Sequence, residues 1–107
     1  NSLYYCQTLT TEQINKAIDI GKDLNYLYRY QKLTPKNIDH AIEIDNGEYI
    51  NVLYTYQTLS PEQIDKAISR GESIYFLYQC QKLTPENIDK IINRIILSDT
   101  TKKKEEK

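Results

Sequence analysis

With 107 residues, 39% apolar and 27% charged, the chain suits one modest globular domain. Its net charge of −1 argues against a general electrostatic pull toward nucleic acid or an anionic membrane. Three Pro and three Gly are too few for a linker, and the longest apolar run near the end, Ile95–Ile96–Leu97, falls far short of a membrane span.

Met is absent, so Asn1 is not an initiator, and no secretory leader pattern stands at the start; the chain reads as a piece of something longer or as a processed form. It opens with "SLYYCQ", which reads as part of a short helix, and then "QTLTTEQINKAI" begins at Gln7. Variants follow from Gln31 ("QKLTPKNIDHAI"), Gln57 ("QTLSPEQIDKAI") and Gln81 ("QKLTPENIDKII"). The Leu-Tyr pairs Leu3-Tyr4, Leu27-Tyr28, Leu53-Tyr54 and Leu77-Tyr78 mark four units spaced 24, 26 and 24 residues apart, with units one and three alike and units two and four alike. A two-unit block has been duplicated.

Each unit carries the chemistry of a helix start. Thr10, Thr34, Ser60 and Thr84 are N-cap candidates, and Pro35, Pro61 and Pro85 sit at the first helical position, where a missing N–H costs nothing. Three residues on, Gln13 and Gln63 fit a capping box closely, and Asn37 and Asn87 only loosely. Leu9 with Ile14, and its counterparts, form a hydrophobic staple. Ile14, Ala17 and Ile18 then follow the spacing of one apolar helix face. This helix, about ten residues long, is expected to stop near Gly21, Gly47 or Gly71. A second, shorter helix follows, with Leu24, Leu27 and Tyr28 at i, i+3 and i+4, repeated as Ile50, Leu53 and Tyr54 and as Ile74, Leu77 and Tyr78. Helices this short do not stand alone, so each unit must bury its face against its neighbours.

The expected fold is all-α, a right-handed α-solenoid of four two-helix repeats of about 24 residues. It covers 1–97, with units starting near 3, 27, 53 and 77, and a disordered charged tail follows over 98–107. "LTPENIDK", a short tail and then "LYxYQ" together resemble leucine-rich repeat variant (LRV) and HEAT-like short helical repeats over roughly residues 3–97. The resemblance implies a right-handed superhelix whose second helix is partly 3₁₀. The Gln before the staple Leu and the ten tyrosines depart from that pattern. No cofactor of a family member is carried over, because no Cys cluster is present.

Cys6 and Cys80 occupy the position that Tyr30 and Tyr56 hold in the middle units. Units stack at about 10 Å, so the two thiols lie roughly 30 Å apart and beyond disulfide reach. They are expected to be buried or half-buried thiols in a reducing, intracellular (cytoplasmic) setting. His40 replaces Lys16, Lys66 and Lys90 on the polar helix face and reads as solvated. No catalytic triad, phosphate loop or metal spacing stands out, so no enzyme, metal or cofactor is expected. Tyr4, Tyr28, Tyr54 and Tyr78 are assigned to the core, and Gln7, Gln31, Gln57 and Gln81 to satisfying turn backbone or one another.

Function is sought where the units differ. On the short helices, Asn25 and Arg29, Asn51 and Thr55, and Tyr75 and Gln79, with Tyr5 in the first, point away from the apolar stripe and form a polar and aromatic strip. The leading expectation is a noncatalytic protein-interaction module that uses this strip to hold another protein. Nucleic-acid binding is the rival, disfavoured because Arg29 is the strip's one cation; a structural spacer that self-associates end to end is the third. Unit two is two residues longer, at "IEIDNG", and an acidic knob with Glu43, Asp45 and Glu48 is expected to protrude there.

Overall fold

The computed structural model describes residues 2–106, with side chains for all of these except Ser2, Tyr5 and 97–106. Every regular element among the described residues is an α-helix: α1 (Ser2–Cys6), α2 (Thr11–Ile20), α3 (Leu24–Tyr30), α4 (Pro35–Ile44), α5 (Ile50–Tyr56), α6 (Pro61–Arg70), α7 (Ile74–Cys80) and α8 (Pro85–Glu106). The expected tail, 98–107, lies outside the described residues as far as its side chains are concerned, and Lys107 wholly so.

Four long-helix starts use the same device. The hydroxyls of Thr10, Thr34, Ser60 and Thr84 accept from the N–H three residues on, and the Gln or Asn at that position accepts from the cap's own N–H. Asn37 and Asn87 complete the box as fully as the glutamines do, although one methylene shorter. At the other end, Gly21 (φ 75°) and Gly71 (φ 85°) adopt the left-handed cap. Helix α4 ends differently: Asp45 is the cap at φ −59°, and Gly47 takes the positive φ two residues later.

The helices form two layers. The short helices α1, α3, α5 and α7 lie side by side in chain order, the long helices α2, α4, α6 and α8 do the same, and α3, α5 and α7 each pack on the long helix before them. The body is elongated, 54 × 28 × 19 Å. Its core is the seam between layers, where Leu27, Tyr28, Ile50, Leu53, Tyr54, Ile64, Ala67 and Leu77 are wholly buried. Seven-residue helices have too few internal hydrogen bonds to persist alone, so this burial is what keeps them helical.

Side-chain amides tie neighbouring helices together in two ladders. Gln31 donates to the carbonyls of Tyr4 and Gln7 and accepts from the N–H of Leu9. Gln57 repeats this with Tyr28, Gln31 and Leu33, and Gln81 with Tyr54, Gln57 and Leu59. The glutamines therefore satisfy turn backbone, as expected. In the second ladder the capping-box amides reach back: Asn37 Nδ2 donates to Thr11 O and Asn15 Oδ1, Gln63 Nε2 to Pro35 O and Asp39 Oδ1, and Asn87 Nδ2 to Pro61 O and Asp65 Oδ1. One amide thus caps its own helix with its oxygen and clamps the preceding one with its nitrogen.

Three side-chain expectations fail. Tyr28 and Tyr54 are buried, but Tyr4, on the first helix, is only partly so, and Tyr78, on the last short helix, is 50% exposed because no later unit covers it. Helix α8 is longer than the other helices, and Ile88, Ile92, Ile95 and Ile96 on it stay exposed. Cys6 and Cys80 are exposed, since the column they share with Tyr30 and Tyr56 faces outward. His40 is half-buried and bonds Asp19 of α2 at 2.7 Å.

Candidate functional site

The outward face of the short-helix layer carries most of the sequence-selected residues. Arg29, Thr55, Tyr75 and Gln79 are exposed on α3, α5 and α7, and Asn25 and Asn51, one turn earlier, are half-buried. The side chain of Tyr5 lies outside the described residues. Thr55 is already engaged, its hydroxyl donating to Asn51 O at 2.8 Å.

Around Arg29 the face becomes an organised aromatic cluster. The guanidinium stands 5.7 Å from the ring centroid of Tyr30 and 5.2 Å from that of Tyr56 on the next helix. Tyr26 stacks near-parallel on Tyr30 at 6.4 Å, as i, i+4 neighbours do. The charge sits in the last turn of α3, where the helix dipole favours a cation. Below it a cleft is lined by Arg29, Tyr30, Lys32, Tyr56 and Thr58, with its floor formed by the turn that Gln57 holds. Farther along, Tyr75 meets Phe76 (5.7 Å) and Tyr78 (5.4 Å) edge to face.

The predicted strip is therefore two aromatic clusters separated by Thr55, rather than one continuous band. Tyr26, Tyr30, Lys32 and Tyr56 belong to the first but not to the set read from sequence. The signal was present: Tyr30 and Tyr56 share a column with Cys6 and Cys80, and a position that tolerates Tyr and Cys alike is not a tightly packed one.

The two-residue extension in the second unit forms a buried polar cluster. Asp45 is 7% exposed; it accepts from the Tyr28 hydroxyl at 2.6 Å and from Gly47 N–H at 2.7 Å. Arg70 comes across from α6, donating to Ile42 O at 2.7 Å and to Asp45 O, with its guanidinium 4.0 Å from Asp45 Oδ1 and 3.2 Å from Glu72. Burial first, then the bond to Asp45, pushes the Tyr28 phenol far above its ordinary range. The expected acidic knob is thus corrected in its central residue: Asp45 turns inward because a buried phenol needs an acceptor, while Glu43 and Glu48 remain exposed. With its carboxylate spent on internal donors, this cluster fastens the seam between α4 and α6.

Among the described residues no group of three or more His, Cys, Asp or Glu is placed to hold a metal ion, and no helix is long and apolar enough to cross a membrane. Compared with protein-family models, with curated proteins and with solved structures, the chain matches none of them.

Proposed function

We propose that the chain is a noncatalytic protein-interaction module, a right-handed α-solenoid of four short repeats of the LRV or HEAT-like kind, acting in the cytoplasm. The observation that carries this reading is the Arg29 cluster: a cation steadied by two tyrosine rings on adjacent helices, over an open cleft. Tyr and Arg are the residues that most often anchor interfaces, and an anchor already held in place loses little freedom on binding. A partner segment with a carboxylate and an apolar or aromatic side chain suits it, the carboxylate meeting Arg29 and Lys32 and the apolar group lying between Tyr30 and Tyr56. Tyr75 and Gln79 extend the contact toward the second cluster.

The test is a crosslinking pull-down from the native source with wild-type chain, Arg29→Ala and Tyr56→Ala. Partners lost with both variants but kept with Lys36→Ala, on the opposite layer, support the reading; partners that survive both variants overturn it. Nucleic acid is the second reading, favoured only by the adjacency of Arg29 and Lys32. Low-salt gel shifts with DNA and RNA decide it, since tight binding with a steep salt slope would be its signature.

A further inference from the structure

The two ends of the helix stack are complementary to each other, and we propose that a second copy of this chain docks head to tail, its α1–α2 edge on the α7–α8 edge of the first. At every internal seam the later helix pair offers amide donors and the earlier pair offers carbonyls and one backbone N–H, and at the second and third seams a lysine of the later pair also meets a carboxylate of the earlier one. The two amide ladders follow this polarity, and so do the ion pairs Lys66–Asp39 (3.8 Å) and Lys90–Asp65 (3.2 Å).

Each end of the stack keeps one half of that set. At the α1–α2 edge, the side chains of Gln7, Gln13 and Lys16 are exposed, and none has a partner across a seam among the described residues. They are the positional equivalents of Gln31, Asn37 and His40, and of Gln57, Gln63 and Lys66. At the α7–α8 edge stand the matching groups: the carbonyls of Tyr78, Gln81 and Pro85, the N–H of Leu83, and the carboxylate of Asp89, which is exposed and in no ion pair among the described residues. Continuing the register, Gln7 of an incoming copy donates to Tyr78 O and Gln81 O and accepts from Leu83 N–H. Its Gln13 donates to Pro85 O and Asp89, and its Lys16 meets Asp89.

Burial identifies the same face independently. Ile14, Ile38 and Ile64 are 3%, 3% and 0% exposed, but their equivalent Ile88 is 44% exposed. Ile18, Ile42 and Ile68 are 3%, 5% and 2% exposed, against 47% for Ile92. These side chains, with Tyr78, Leu83 and Ile95, line an apolar groove beside α8. The groove is the surface that each earlier unit covers with its successor, and α1 and α2 of another copy carry the same class of covering surface. Hydrogen-bond polarity, charge sign and apolar shape all select this occupant. Such an interface joins unlike surfaces, so it propagates unless the stacking rotation closes a ring.

Sedimentation velocity of the full chain over a wide concentration range tests the proposal. The sedimentation coefficient should climb with concentration without stopping at a dimer. Gln7→Ala and Ile92→Glu, both at exposed ends, should each weaken association about tenfold or more, with the far-ultraviolet circular dichroism of the wild type. Lys16→Asp and Asp89→Lys should each associate more weakly alone and regain association when mixed, because the altered head then meets the altered tail. Tyr56→Ala, on the side face, should leave association untouched, which separates this interface from the one under Proposed function. A chain that stays monomeric up to its solubility limit overturns the proposal. So does association that ignores Gln7→Ala and Ile92→Glu, or that is abolished by Tyr56→Ala.

Discussion

Tyr28 and Tyr54 occupy the same position in consecutive units, are both wholly buried, and differ in one atom's surroundings. The Tyr28 hydroxyl donates to Asp45 at 2.6 Å, whereas the Tyr54 hydroxyl is the one buried side-chain polar atom without a partner among the described residues. The turn after α4 is two residues longer than the turn after α6, and the extra length brings a carboxylate under the first phenol. In the shorter turn Gly71 passes directly into the loop to α7 and supplies no acceptor. A repeated residue does not guarantee a repeated interaction; the neighbouring turn decides whether a buried hydroxyl stabilises or costs.

The largest expected effect strikes what the two sites share. Leu53, wholly buried in the core that contains both, should lose about 2–5 kcal/mol on truncation to Ala in urea denaturation, by lost burial plus a cavity; a loss well under 1 kcal/mol would show that the central core is not organised around it. Next, Asp45→Ala strips Tyr28 and Gly47 N–H of their acceptor and should cost about 1.5–3 kcal/mol, the range for hydrogen bonds to a charged group. An effect near zero would return Asp45 to the role of a surface insertion.

Alkaline pH weakens both sites. Burial raises the Tyr54 phenol from 10.0 to about 12, and Tyr28 is raised too. Both folded values lie above the unfolded one, so this contribution to stability is complete below pH about 10 and is lost as pH rises from there through the folded values. Absorbance titration at the phenolate band should find two tyrosines ionising last, together with unfolding. If all ten ionise together near the ordinary phenol value before any loss of helix, neither ring is sealed.

Tyr28→Phe should cost about 1 kcal/mol, while Tyr54→Phe should be neutral or slightly stabilising, since it deletes an unpaired buried hydroxyl. Equal losses in the two variants would mean that Tyr54 has a partner in solution. The smallest change is Pro61→Ala, at the exposed first position of α6, expected to shift stability by less than about 1 kcal/mol.

Much of the local structure was legible because its causes are local. A hydroxyl, often followed by Pro, and an amide three residues on determine a helix start within one turn, and the i, i+3, i+4 pattern marks the buried stripe of Ile14, Ala17 and Ile18. The strip residues Arg29, Thr55, Tyr75 and Gln79 were exposed as expected, for the same periodic reason. The Arg29–Tyr56 pairing escaped sequence reasoning because its partners are 27 positions apart and meet only when α3 and α5 align.

The sequence by itself determined the all-helical class, the four helix starts and the period of the units, since hydrogen bonds and side-chain spacing within about a dozen residues suffice for these. Tertiary structure alone decided the inward turn of Asp45, the reach of Arg70 to Ile42 and Asp45, and the open state of Ile88 and Ile92. Each depends on whether another unit supplies a covering surface or a complementary charge, and no residue carries that information until its neighbour in the stack is in place.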